Sequence, residues 1–140
     1  MLTWNEYLKK GLVRKTSLNK ELIKSIVYAA DNGINVISKI EINKETSSII
    51  FSNCYDSLRK ICEAIALLNN YKIYSHEALG LFLKEVLKED IIFKKFDRFR
   101  LLRNNAQYYG KIIPFEESKQ CIVEIKDLIQ TLKTEYLKQI

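Results

Sequence analysis

The sequence predicts an all-α protein built as an antiparallel bundle of five to six helices. Apolar residues recur at intervals of three and four through most of the 140 residues, which is the helical period. No run alternates between apolar and polar residues over the length that a sheet needs. With one Pro and four Gly, the chain also has no linker that would divide it, so we expect a single domain over residues 1–140.

The first three helices are predicted from their caps and apolar stripes. Thr3 is a suitable N-cap for a short helix over about 3–12. A second helix covers about 17–40, and its apolar stripe resumes in phase beyond the turn-prone residues 31–33. We therefore expect one long helix with a weak point there. The third helix covers about 45–69.

Three further helices follow a connector over residues 71–74. The fourth is expected over about 76–87 and the fifth over about 91–109, where Gly110 is a natural stop. Pro114 then begins the last helix in a position that suits proline. The apolar stripes are long for a monomer of this size, and we therefore expect a homodimer.

Cysteine, histidine and hydropathy limit the classes of protein that fit the sequence. Three Cys without a C-x-x-C pair, and one His in the whole chain, argue against a zinc site, so we expect core thiols and no metal or cofactor. No stretch approaches the roughly 18–20 continuous apolar residues of a membrane helix. The first residues also lack the layout of a signal peptide, so we expect a cytoplasmic protein without a membrane partner.

Positive charge is concentrated late in the chain. The formal net charge is +6, and residues 94–111 carry six basic side chains and one acidic side chain. The remainder is therefore close to neutral in sum. Such a segment favours a polyanionic partner, although a merely solvated helix face has the same composition.

Polar and aromatic side chains in this segment follow helical spacing. The predicted RNA- or phosphate-binding residues are Arg100, Arg103, Gln107, Tyr109 and Lys111. Guanidinium and amide groups on one face suit a planar or phosphate-bearing ligand, and tyrosines add stacking surfaces. The alternative is that Arg103 is a buried or interface arginine paired with a carboxylate.

Three segments of the chain together resemble one family of domains. They are residues 56–64, residues 71–79 and the run that begins with Arg103-Asn104 and continues through Tyr-Tyr-Gly-Lys to a Pro-Phe-Glu-Glu helix start. Their order over about 45–138 resembles the HEPN family of all-helical domains. The signature of that family is an Arg, often followed by Asn, with a His about four to six residues later near the end of a late helix. Here Tyr108 stands in place of the His.

The resemblance implies a helical bundle that dimerises so that two copies of the motif face each other. In active members it implies metal-independent RNA cleavage, often as a toxin paired with a nucleotidyltransferase antitoxin. Other members bind RNA or nucleotides without cutting them. Carried over by the resemblance, the candidate catalytic residues are Arg103, Asn104 and Tyr108.

The missing histidine decides which function we expect. Cleavage by the 2′-hydroxyl of RNA needs a proton acceptor and a cation. Arg103 supplies a cation, but Tyr108, with an ordinary pKa of about 10, is a poor base. We therefore expect an RNA- or nucleotide-associated module with weak or no ribonuclease activity. The alternatives are an active endoribonuclease toxin, in which Tyr108, Gln107 or His76 replaces the histidine, and a protein-binding bundle.

Overall fold

Six α-helices and one short β-ribbon make up residues 2–140, which the computed structural model describes. This confirms the all-α prediction. The helices are α1 (Trp4–Lys9), α2 (Lys20–Ile37), α3 (Ser47–Leu68), α4 (His76–Leu81), α5 (Asp90–Tyr109) and α6 (Phe115–Tyr136). The strands β1 (Val13–Lys15) and β2 (Tyr71–Ile73) pair antiparallel and form the β-ribbon.

Helix α3 is the centre of the core. Its most extensive contacts are with α2 and α6, and it also packs against α4, α5 and β2. Large side chains spaced along it, among them Phe51, Leu58 and Ile65, are fully buried. Because each such side chain contributes about 1.5–3 kcal/mol on burial, this helix organises the bundle.

The predicted weak point of α2 is a site of close helix packing. Helix α2 runs without a break through Gly33, as its in-phase apolar stripe predicted. A Cβ atom at Gly33 would lie 2.8 Å from Ser57 Oγ on α3. The Ser57 hydroxyl in turn donates a hydrogen bond of 3.0 Å to the Ala30 carbonyl. Glycine therefore allows α2 and α3 to approach each other.

The β-ribbon corrects the sequence prediction, which treated residues 71–74 as a connector and included residue 12 in the first helix. The register pairs Val13 with Ile73 and Lys15 with Tyr71. Three-residue strands are too short to show an alternating pattern, so the sequence gives no strand signal here. Helix α1 ends early because Gly11 adopts a left-handed backbone conformation with φ of 71°.

The second half of the bundle follows the prediction with one local change. Helix α4 does not stay α-helical to residue 87 but continues as a π-helical turn over Phe82–Val86. Gly110 ends α5 in the left-handed conformation with φ of 63°, as expected for a helix stop. Pro114 is the N-cap of α6 and therefore immediately precedes its first helical residue.

The three cysteines are part of the hydrophobic core. Cys54, Cys62 and Cys121 are free and buried, which confirms their placement in the core. No helix in residues 2–140 combines the length and the apolar character needed to cross a membrane.

Candidate functional site

Three arginines are close enough to the single histidine of the chain for their charges to act on it. Arg59 comes from α3, Arg100 and Arg103 come from α5, and His76 is the first residue of α4. All three guanidinium groups act on His76 electrostatically, and all three also act on the hydroxyl of Tyr55. We call these five residues the arginine cluster.

Helical spacing places the cluster on two facing helix surfaces. On α3, Asp56, Arg59 and Glu63 follow one another at intervals of three and four, and on α5 Asp97, Arg100 and Arg103 repeat at intervals of three. Residues at these intervals share one side of a helix. Since α3 packs against α5, the two rows of charged side chains meet.

Each arginine of the cluster has a carboxylate partner. Arg59 pairs with Glu63 at 2.5 Å, Arg100 with Asp97 at 2.8 Å, and Arg103 donates a 3.2 Å hydrogen bond to Asp56 that joins α5 to α3.

Arg103 is thus paired with a carboxylate, as the alternative interpretation of the sequence expected. Its side chain retains 14% of its exposure, and Asp56 retains 31%. Solvent therefore reaches the pair.

The cluster does not satisfy all of its hydrogen-bond donors. Within residues 2–140, the Nε groups of Arg59 and Arg103 are buried without an acceptor. A guanidinium carries five N–H donors, and the carboxylate contacts use only some of them. An unpaired buried donor costs about 1–3 kcal/mol, so this arrangement is kept at a cost in stability.

His76 and Tyr55 form the inner part of the cluster. The Tyr55 hydroxyl and His76 Nδ1 are 3.0 Å apart, in a hydrogen bond whose direction depends on the imidazole tautomer. Burial raises the pKa of Tyr55, so its hydroxyl stays protonated at neutral pH. Burial, together with the positive charges of Arg59 and Arg103, lowers the pKa of His76 to about 4. The imidazole is therefore neutral at pH 7.

The structure brings together only part of the predicted site. Arg100 and Arg103 lie in the cluster, and Asn104, which follows on α5, is half-buried. Gln107, Tyr109 and Lys111 are exposed further along the chain.

Tyr108 does not share a face with Arg103. Helix α5 stays α-helical through Tyr109, and residues five apart on such a helix point about 140° from each other. Tyr108 accordingly is 67% exposed, whereas the side chain of Arg103 is 14% exposed. The cluster histidine, His76, instead comes from another helix.

The exposed end of α5 forms a separate surface. Gln107 and Ala106 line a cavity of about 290 Å³ with Ile49 and polar residues of α3. Beyond it, Tyr109 is 73% exposed and Ile112 is 90% exposed. Gln107 and Tyr109 therefore belong to this surface and not to the cluster.

A larger cavity of about 460 Å³ lies between α2 and α6. Its charged groups include Lys133 and Asp31, whose ammonium and carboxylate groups are 2.7 Å apart. These groups neutralise each other, and the cavity is lined by residues other than those of the cluster.

Sequence reasoning missed Arg59 and Asp56 as site residues. The available signal was the spacing of Asp56, Arg59 and Glu63 along α3, which is the same kind of signal that identified Arg100 and Arg103. From the sequence, His76 is only one of several candidates to replace the motif histidine. Its position beside Arg103 depends on tertiary packing.

Comparison with known proteins leaves the site to be argued from its own geometry. No protein-family model matches the chain, and no curated protein is similar enough to be identified as its relative. Among residues 2–140, no three His, Cys, Asp or Glu side chains are grouped as a metal site requires.

Proposed function

We propose that this chain is a HEPN-like helical module that binds RNA or a nucleotide through the arginine cluster and has weak or no ribonuclease activity. One observation carries the proposal: the Arg103 guanidinium lies 5.7 Å from the centre of the Tyr55 ring, and the Tyr55 hydroxyl is hydrogen-bonded to His76. Arg59 and Arg100 add two further guanidinium groups, whose charges also act on this neutral imidazole. These are the donors that recognise phosphate oxygens in a fixed geometry.

A phosphate would compete with the carboxylates for the guanidinium groups. The side chains of Asp56, Glu63 and Asp97 are each about one-third exposed, at 30–31%. Because they are partly in water, these carboxylates can turn away without disturbing the core. The bound phosphate then replaces one charged acceptor with another.

The low pKa of His76 supports binding over cleavage. A general base works best when its pKa is close to the working pH, and the pKa of His76, at about 4, lies about three units below neutrality. The neutral imidazole donates or accepts a hydrogen bond but has little driving force to take a proton. The low pKa of His76 therefore favours weak or absent ribonuclease activity.

A second candidate function is favoured by the same histidine. Tyr55 contacts both His76 and Arg103, so a base and a cation are both present at the cluster although the motif position holds Tyr108. In this case the chain is a metal-independent endoribonuclease toxin with a nucleotidyltransferase antitoxin. The homodimer remains a prediction from the apolar stripes and the resemblance, and the antitoxin remains a prediction from the resemblance.

The test is binding of single-stranded RNA, measured by fluorescence anisotropy over a range of salt concentrations. We expect the wild-type chain to bind, and its affinity to fall steeply with salt because phosphates are contacted. Arg103→Gln combined with Asp56→Asn should weaken binding at least tenfold while keeping an uncharged contact between α3 and α5. If the wild-type chain binds neither this RNA nor a fluorescently labelled nucleotide, the proposal is wrong and the protein-binding alternative gains support.

Arg98→Gln is the matched control for charge on α5. Arg98 is more exposed than Arg103 and pairs with Glu124 outside the cluster. Its loss should change RNA affinity only slightly. The same samples are incubated with labelled RNA to detect cleavage. If the wild-type chain cleaves RNA robustly and both Arg103→Gln and His76→Gln abolish cleavage, the proposal of weak or no ribonuclease activity is wrong and the endoribonuclease alternative is supported.

A further inference from the structure

The β-ribbon places two cations directly opposite each other. Its register pairs Arg14 with Lys72, and both side chains are exposed. Like charges in this position destabilise a sheet by roughly the amount that opposite charges stabilise it. Within residues 2–140, neither side chain forms an ion pair with a carboxylate. Within these residues, no ion pair therefore offsets the repulsion between Arg14 and Lys72 across the ribbon.

An aromatic ring adjoins these cations. Tyr74 lies two residues after Lys72, on the same side of the extended chain, and is 55% exposed. Lys72 Nζ is 5.6 Å from the centre of the Tyr74 ring. We call Arg14, Lys72 and Tyr74 the ribbon face.

The chain around β1 is also basic. Residues 1–24 contain six Lys or Arg side chains and two Glu side chains, a net charge of +4. The sequence signal of this segment is a simple charge count.

The ribbon face adjoins the arginine cluster. Lys72 lines a groove of about 240 Å³ together with Glu63, and Glu63 is the partner of Arg59. Tyr74 precedes His76 by two residues, so their Cα atoms are at most about 7 Å apart. A ligand bound at the cluster and extended in this direction reaches the ribbon face.

We propose that the ribbon face is a second phosphate-binding site, which holds single-stranded RNA where the strand continues beyond the arginine cluster. Arg14 and Lys72 bind backbone phosphates, and Tyr74 stacks on a base. This inference rests on the proposed function, because it names single-stranded RNA as the ligand of the cluster. An exposed ring beside cations that have no carboxylate partner is the arrangement that single-strand binders use.

Lys72→Glu separates loss of binding from loss of folding. The new carboxylate faces Arg14 and replaces a repulsion with an attraction, so the melting temperature should stay the same or rise. RNA affinity should nevertheless fall, since a phosphate contact becomes a repulsion. Lys39→Glu makes the same change of charge at an exposed position just after the C-terminal end of α2, whereas β1 precedes the N-terminal end, and it is the matched control. It should leave RNA affinity within about twofold, consistent with screening over that distance.

Two milder variants measure the separate contacts. Lys72→Gln should reduce the slope of log affinity against log salt by about 0.7, which corresponds to one phosphate contact on a single strand. Tyr74→Leu should weaken binding at least about fivefold through lost stacking, with the salt slope unchanged.

The outcomes distinguish this inference from the proposed function. If the Arg103→Gln and Asp56→Asn double variant loses RNA but Lys72→Glu binds as tightly as wild type, the ribbon inference is wrong and the proposed function stands. If poly-glutamate displaces the RNA from wild-type chain at equal charge concentration, the face is selective for charge alone and the inference is also wrong. Absence of RNA binding by the wild-type chain overturns the ribbon inference, and absence of both RNA and nucleotide binding overturns the proposed function as well.

Discussion

The arginine cluster and the ribbon face hold their cations in opposite ways. Every arginine of the cluster is partly buried and has a carboxylate beside it, whereas Arg14 and Lys72 are exposed and face each other. A charge taken out of water must be compensated, because its desolvation penalty is several kcal/mol. A charge left in water is screened and needs no partner. Burial therefore explains why each arginine of the cluster has a partner, whereas an exposed cation can be paired, as Lys94 is with Asp90, or, among the residues that the structure describes, unpaired, as Lys72 is.

Most cations in the most basic stretch of the sequence are also paired after folding. Among residues 94–111, four of the six basic side chains have an acidic partner in the structure. They are Lys94, Arg98, Arg100 and Arg103, which pair with Asp90, Glu124, Asp97 and Asp56. The apparent excess of +5 is thus largely neutralised after folding. A net charge counted along the chain overestimates what this helix offers to a polyanion.

The largest effect on stability is expected for Arg103 of the cluster. Arg103→Ala removes a charge-assisted hydrogen bond between α5 and α3 and leaves Asp56 without its partner, at a cost of about 1.5–3 kcal/mol. Urea denaturation at pH 7 measures it. Arg98→Ala, which breaks a more exposed pair, should cost less than about 1 kcal/mol. If the two variants lost equal free energy of unfolding, the partly buried pair of the cluster would contribute no more than the exposed pair, and the comparison would fail.

The pH dependence of stability should report His76. The folded chain resists protonating this imidazole until about pH 4, whereas the unfolded chain protonates it near pH 6.5. The unfolded state therefore binds more protons between these values, and wild-type stability falls as the pH decreases from 6.5 towards 4.

His76→Gln removes this contribution and provides the control. Because the chain has one histidine, the difference between the two unfolding free energies against pH belongs to this residue alone. The two curves should run parallel above pH 6.5 and converge or cross as the pH falls. Curves that stay parallel down to pH 4.5 would show that the imidazole is not held neutral by its surroundings.

The smallest effect is expected at the ribbon face. Lys72→Glu should stabilise the folded chain by about 0.2–1 kcal/mol, the contribution of an opposite-charge pair across two strands. For a chain of this length, that corresponds to a rise in melting temperature of no more than a few degrees. High salt should reduce the gain, and a destabilised variant would argue against the register of Arg14 with Lys72.

The fold could be predicted because its signals are local. The residues that end each helix lie within a few positions of that end. Thr3, for example, accepts a hydrogen bond from the Glu6 amide, and Gly110 ends α5. The pairing of β1 with β2 has no such local signal, because it joins Arg14 to a residue 58 positions later and each strand has three residues. The same distinction applies to the candidate site.

The α5 half of the cluster was predicted from helical spacing, but its partners were not. Arg100 and Arg103 lie three residues apart on α5, so one pattern contains both. Asp56 lies 47 residues from Arg103 and reaches it only because α3 packs against α5. No spacing rule connects His76 to either helix, and its position follows from the start of α4.

The solitary imidazole also gives the protein a built-in spectroscopic reporter. In a chain with one histidine, the ring-proton and ring-nitrogen resonances need no assignment, and here they arise beside Tyr55 and the guanidinium groups. Any anion that settles among those groups changes the chemical shift, the tautomer balance and the titration midpoint of this ring. Occupancy of the cluster can thus be followed by NMR in unmodified protein, one ligand at a time.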